Sequence, residues 1–275
     1  MGLSYQLELL YDEKWSKLNE ALKAHEIAIR TPFLLSLNKY DEGDTEKWYT
    51  DADLKVMIFG QEGNRWELPA DKRPFPANFM ELYQEFYNEN YKEDATGKIP
   101  FPGRSSFFKL GFNHFTNSIF DFLREKFPTK RAAFLWNNIS KLAAVGRNGT
   151  GVSVNSFTHQ LEQEFFRVIP DEIEILKPDV LIFLTGVDEK YNRYIAENFI
   201  IRDNPIQLSG LPIKDVAKLN IESVKLAYRT HHPADRSSGD DRQMWYQAIL
   251  DDLKSNLRGI LGEWGIEHTN SAHYE

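Results

Sequence analysis

The sequence predicts an α/β protein with an open, mainly parallel four-stranded sheet flanked by helices. Three observations carry that expectation. The apolar runs KVMIF at 55–59 and VLIFL at 180–184 lack polar alternation, as suits strands covered on both faces of a parallel sheet. Stretches of helical periodicity separate the candidate strands, and such alternation builds parallel sheets. Three strands end in polar clusters, GQEGN, WNNIS and THHPAD, and open α/β sheets bind ligands at the carboxyl ends of their strands.

The elements follow in order. From Tyr11 to about Ile29, apolar residues recur at helical spacing (Trp15, Leu18, Leu22, Ile27), which predicts an N-terminal helix. Residues 1–50 are read as a helical extension of a single domain spanning 1–275. A polar loop, YDEGDTEKWYTDAD, leads into a strand at 54–59. Residues 64–100 carry Pro69, Pro74, Pro76 and Pro100 around an amphipathic segment near Phe79–Tyr87, and read as an insertion after that strand. A helix is expected over Phe107–Lys126 and a second strand, AAFLWNN, over 132–138. Residues 157–176 place Leu161, Phe165, Val168, Ile169, Ile173 and Leu176 on one side, predicting one helix kinked at Pro170. A third strand follows Pro178 and stops before Gly186. A helix at about Glu189–Asn198 precedes the fourth strand, VKLAYRT, which ends in a His-His-Pro turn. The last helix is expected over Asp241–Arg258, with a flexible tail at 267–275.

Composition narrows the function classes. Of 275 residues, 41% are hydrophobic and 13% aromatic, ample for a packed core. There is no cysteine, which excludes disulfides, thiolate nucleophiles, cysteine zinc sites and iron–sulfur clusters. With no basic, apolar leader at the N-terminus, a cytoplasmic address is expected. No apolar run approaches the roughly 18 residues of a membrane span. The net charge of −8 argues against a protein that coats nucleic acid non-specifically. Yet residues 101–150 hold eight Lys/Arg against two acids, a net of +6, leaving −14 on the rest. A basic face on an acidic body suits a site that meets phosphate, and equally suits helix surfaces whose charges never converge.

The strand ends hold the candidate chemistry. Glu62, beside Gln61 and Asn64, is an acid able to orient water or stabilise a cation; a lone loop acid looks the same. Asn137 and Asn138 offer amides suited to the edge of a planar base, or to loop backbone. His231 and His232 precede Pro233, and a histidine there can donate a hydrogen bond to a developing anion. No grouping has metal-ligand spacing, so neither a metal nor another cofactor is expected. GRNGTG at 146–151 lacks the ending of a phosphate-binding loop and reads as a flexible loop.

The ordered set over roughly residues 53–250 resembles the uracil-DNA glycosylase superfamily. GQEGN is similar to its first motif, IPFPGRSS at 99–106 to the Arg-Pro-Phe-x-Gly-Arg segment of the thermophile-type branch, and LWNNISK to its Thr-Asn-x-x-Lys strand end. EILKPDVLIFLTG resembles the helix–Lys-Pro–strand–Gly block, and THHPAD the His-Pro-Ser motif. The resemblance implies a three-layer α/β/α fold. It also implies a monomeric enzyme that takes a nucleotide of single- or double-stranded DNA into a pocket and cleaves its N-glycosidic bond. Phe101 would stack on the base and Asn138 read its edge, Lys141 matching the motif's lysine. His232 would stabilise the departing base, Glu62 would position water, and Gly60 and Gly63 would let backbone come close.

The chain also departs from the pattern. Glu62 stands where the best-known branch has Asp, and Gly63 and Asn64 where it has Pro and Tyr. Ala234, Asp235 and Arg236 occupy the loop that usually carries a wedge, and the thermophile-type cluster has no cysteines to hold it. Two alternatives stay open: a catalytically silent base- or nucleotide-binding protein, and a hydrolase of free nucleosides or nucleotides.

Overall fold

The computed structural model describes residues 1–38, 45–63, 66–68, 74–90, 105–147, 151–237 and 239–262. Asn64, Phe101, the tail at 267–275 and much of the 64–100 segment lie outside them.

Helix α1 (Leu3–Ala24) buries Leu7, Tyr11, Trp15, Leu18 and Leu22, steps of three and four residues that draw one stripe along a helix. It starts earlier than the periodicity alone indicates. The reason is a remote cap: the free backbone N–H groups of Leu3 and Ser4 donate to the Glu46 carboxylate at 2.6 and 2.7 Å, placing negative charge at the positive end of the helix. The short α2 (Lys47–Thr50) leads into β1 (Leu54–Gly60). Helix α3 (Pro76–Asn90) follows, then a π-helical stretch, Phe107–Phe112, that runs into α4 (Asn113–Lys126) and β2 (Ala132–Asn138). A two-residue hairpin pairs β3 (Ala144–Val145) with β4 (Gly151–Val152).

The segment expected as one kinked helix is two, α5 (Ser156–Phe165) and α6 (Ile169–Leu176). Pro170 does not kink a helix but sits in the first turn of α6, where its missing N–H has no partner to lose. Then come β5 (Val180–Phe183), α7 (Glu189–Asn198), β6 (Ile206–Gln207), β7 (Val216–Leu219), β8 (Leu226–Thr230) and α8 (Gly239–Ile260).

The main sheet has six strands in the order β2-β1-β5-β8-β7-β6, so the expected count of four is corrected. β2, β1, β5 and β8 are parallel and match the four expected strands, while β7 and β6 add an antiparallel edge. Two and four residues are too short to show a period of two, and only their neighbours make them strands. The chain leaving β1 goes to β2 and the chain leaving β5 goes to β8, on opposite sides. Their carboxyl ends therefore flank a topological switch point. α1 packs with α5 and α6, and α4 packs with α8. α1 also packs with α3, and these helices flank the sheet.

Candidate functional site

The parallel register carries the polar exits to one place. Gly60 at the end of β1 pairs with Asn138 at the end of β2, and the ladder continues as Ile139 and Ser140 donate to the Gly60 and Gln61 carbonyls at 3.0 Å each. Gln61 Nε2 donates to the Thr185 carbonyl at 2.7 Å, tying the exits of β1 and β5 together. A Cβ on Gly60 would lie 2.7 Å from Asn138 Oδ1 and 3.2 Å from the Phe107 ring, so glycine is what lets both close in.

A cavity of about 890 Å³ opens over these ends. Its aromatic walls are Trp66, Phe86, Phe107, Phe108 and Trp136, and its polar groups include Gln61, Glu62, Asn138 and His232. Gly60, Gln61, Glu62, Asn138 and His232 thus share one crevice. Gly63 does not line it: a Cβ there would come 3.0 Å from the Trp66 Cβ, so this glycine serves the fold-back of Trp66. Asn64 and Phe101 lie outside the described residues. Helix α3, within the segment read as an insertion, supplies one wall through Leu82, Glu85, Phe86 and Glu89.

The two asparagines divide their work. Asn137 Nδ2 donates to Glu172 at 2.9 Å, and its Oδ1 accepts from Lys141 Nζ at 2.6 Å. Lys141 is also 2.7 Å from Glu172, which accepts from the Tyr11 hydroxyl at 2.6 Å. Burial pushes the Lys141 pKa down, against the pull of Glu172, and pushes that of Tyr11 up. Asn137 is consumed by this buried network. Asn138 is nearly as buried, yet only half used. Its Oδ1 accepts from Trp136 Nε1 at 3.1 Å, while its Nδ2 has no partner. An indole nitrogen only donates, which assigns the amide orientation and leaves Nδ2 as the unused donor.

The two histidines divide theirs as well. His231 stacks on Trp245 at 4.0 Å and bonds Asp235 through Nδ1 at 2.6 Å and Asp215 through Nε2 at 3.2 Å, anchoring the loop. His232 lines the cavity and faces Phe107 at 6.5 Å between ring centres. Its Nδ1 accepts from the Ala234 N–H at 3.2 Å, which leaves the ring proton on Nε2. Burial lowers its pKa to about 4, despite Asp235. At neutral pH it is an uncharged donor. Glycine also seats this loop, because a Cβ on Gly111 of the π-helical stretch would strike Pro233 at 2.6 Å.

Glu62 is held rather than loose. Its Oε1 accepts from Ser153 at 2.8 Å and its Oε2 from Tyr191 at 2.9 Å, and the two hydroxyls lie 3.3 Å apart. Burial and the Glu62 charge push the Tyr191 phenol far up, so it stays a donor. Sequence reasoning missed Ser153, Tyr191, Phe107 and Trp136. Phe107 adjoins a quoted motif and Trp136 lies inside one, so both were within reach, but nothing in the chain marks the first two. Among the described residues, no group of three or more His, Asp or Glu is placed to hold a metal ion, and no helix is long and apolar enough to cross a membrane.

The geometry therefore presents two N–H donors, Asn138 Nδ2 and His232 Nε2, and one restrained carboxylate around an aromatic slot. Comparison with protein-family models finds no match, and comparison with curated proteins finds none either.

Proposed function

We propose that the crevice accepts a nucleobase, and that this chain is a uracil-DNA glycosylase-like hydrolase cleaving the N-glycosidic bond of uracil or another modified base in DNA. The observation that carries this reading is the Asn138 amide. A buried donor without a partner is unfavourable by about 1–3 kcal/mol, and an acceptor on the rim of a planar base would satisfy it. The base slides between the aromatic walls and presents its carbonyl edge to Asn138. As the bond to the sugar breaks, its electron pair moves onto the base. The neutral His232 donates to the oxygen where that charge gathers. Glu62 faces the positive charge on the sugar and orients the water that adds to the anomeric carbon. The proton given up by that water balances the anionic base. A cytoplasmic address accords with the cysteine-free sequence.

One observation favours a second reading, an uncharged nucleoside as substrate. Glu62, Glu67, Glu85 and Glu89 all line the cavity, Glu67 paired with Arg30 at 2.8 Å, and no Lys or Arg lines it among the described residues. A polyanionic strand is repelled by such a rim, whereas a free nucleoside is not.

The test is base release from uracil-containing single- and double-stranded oligonucleotides, beside free deoxyuridine. Release from an oligonucleotide that drops about a hundredfold in Asn138→Ala supports the first reading. Release from the nucleoside alone supports the second. Tight binding of uracil with no release from any substrate leaves a silent binding protein, and neither binding nor release sinks the nucleobase reading.

A further inference from the structure

We propose that a second recess, between α4 and the start of α8, binds a phosphate group. The recess has a volume of about 420 Å³ and is lined by Lys109, His114, Asn117, Arg242 and Tyr246, among others. The π-helical stretch supplies Phe107 and Phe108 to the first cavity, and Lys109 and Leu110 to this one. The inference does not depend on the nucleobase reading.

Four buried polar atoms of this lining have no partner: His114 Nε2, Asn117 Oδ1, Arg242 Nε and Tyr246 Oη. Tyr246 is 2% exposed. Such atoms are rare in folded proteins. Four around one recess, each a buried group left without its hydrogen bond, point to a guest that reaches them all.

The donor inventory defines the guest. Arg242 can only donate, Tyr246 donates readily, and His114 donates through Nε2 in one tautomer. Asn117 donates once its amide turns over, since oxygen and nitrogen exchange places without changing its shape. Lys109 stands exposed at the rim, and Arg242 lies near the N-terminus of α8, where the helix dipole favours an anion. A guest rich in acceptors and negatively charged fits this set, and a tetrahedral phosphate offers an oxygen to each donor.

The opposing charges are accounted for. Asp121 at the rim is taken up by Arg124 at 2.5 Å. Asp240 and Asp241 share the first turn of α8 and reduce the local positive charge, so recognition rests on directed donors more than on net charge. Burial and Lys254 lower the His114 pKa, keeping it a neutral donor. The Arg242 guanidinium is held by one 3.5 Å bond to the Asp235 carbonyl, which leaves it able to swing aside and admit the guest.

Calorimetric titration of the full chain with inorganic phosphate, against chloride at matched ionic strength, tests the site. A parallel arm uses the phosphodiester of a thymidine dinucleotide. Saturable phosphate binding is expected, with Kd raised about tenfold in Tyr246→Phe and in Arg242→Gln. Binding of inorganic phosphate alone names a free phosphate as the source, and binding of the dinucleotide alone names a nucleic-acid strand. Tyr246→Phe removes only an unpartnered hydroxyl, so its melting temperature should hold or rise and keep the comparison fair. No saturable binding of either probe, or Kd values unchanged in both variants, overturns the proposal.

Discussion

Trp136 donates its indole N–H to the Asn138 side-chain oxygen at 3.1 Å, and this one bond decides which way the amide faces. The two residues are two apart on β2, so the pleat sets them on the same side of the strand. Replacing Trp136 by Phe keeps an aromatic wall and removes the donor, leaving the amide able to turn over. If the crevice takes uracil through this amide, competition binding should then show a preference for uracil over cytosine that narrows about tenfold, the equivalent of one lost hydrogen bond. An unchanged ratio would mean that the indole does not set the amide.

Gly60 is the tightest point of the crevice. Gly60→Ala drives a methyl to 2.7 Å from Asn138 Oδ1 and 3.2 Å from the Phe107 ring. Neither neighbour shifts freely, because the Trp136 indole holds the Asn138 oxygen and the Phe107 ring packs against Phe108, Phe112 and Trp136. Urea denaturation should show a loss of about 1–3 kcal/mol, the range for overpacking a filled site. A variant as stable as the parent would show that the strand ends are looser than this geometry.

His232 makes stability depend on pH in a defined window. Its folded pKa, about 4, lies below the ordinary value of 6.5. Between these the unfolded chain binds the proton and the folded chain does not, so unfolding becomes harder as pH rises. The contribution is complete above pH 6.5 and is lost as pH falls to about 4. A histidine that goes uncharged in both states has nothing to lose there. The shift corresponds to roughly 3 kcal/mol at most. His232→Gln should flatten the urea midpoint over that window, and a parallel pH dependence in both proteins would contradict the assignment.

Glu62 is restrained by two hydroxyls, and restraint is testable through kinetics. Ser153→Ala and Tyr191→Phe each remove one bond to the carboxylate. If Glu62 acts in base release, each variant should lower kcat about tenfold and leave KM nearly unchanged, since a slightly misplaced group damages the reacting geometry more than binding. The double variant should fall short of the product of the singles, because both hydroxyls hold one carboxylate. A fall confined to KM would place these residues in substrate binding.

Much of this arrangement is legible in the sequence, for local reasons. The unbroken apolar runs mark β1 and β5, two of the four parallel strands, and AAFLWNN and the helix at 189–198 are bounded as expected. The choice of Asn138 over Asn137 comes from the resemblance, through the match of Lys141 to the motif's lysine, and the network around Glu172 shows what occupies Asn137. The strands β6 and β7 escape notice because six residues in two pieces carry no usable period. Ser153 and Tyr191 escape because each lies far along the chain from Glu62, and neither residue type is distinctive.

What the sequence determined by itself was the four parallel strands and the polar residues at their ends, since hydrophobic patterning and chain exits are local properties. Only the tertiary structure decided that Gly60 sits against Asn138 and that Trp136 turns its amide. It alone decided that Ser153 and Tyr191 hold Glu62, and that burial keeps His232 neutral. Those outcomes depend on strand register, close packing and desolvation, which arise between segments and are written in no single stretch of the chain.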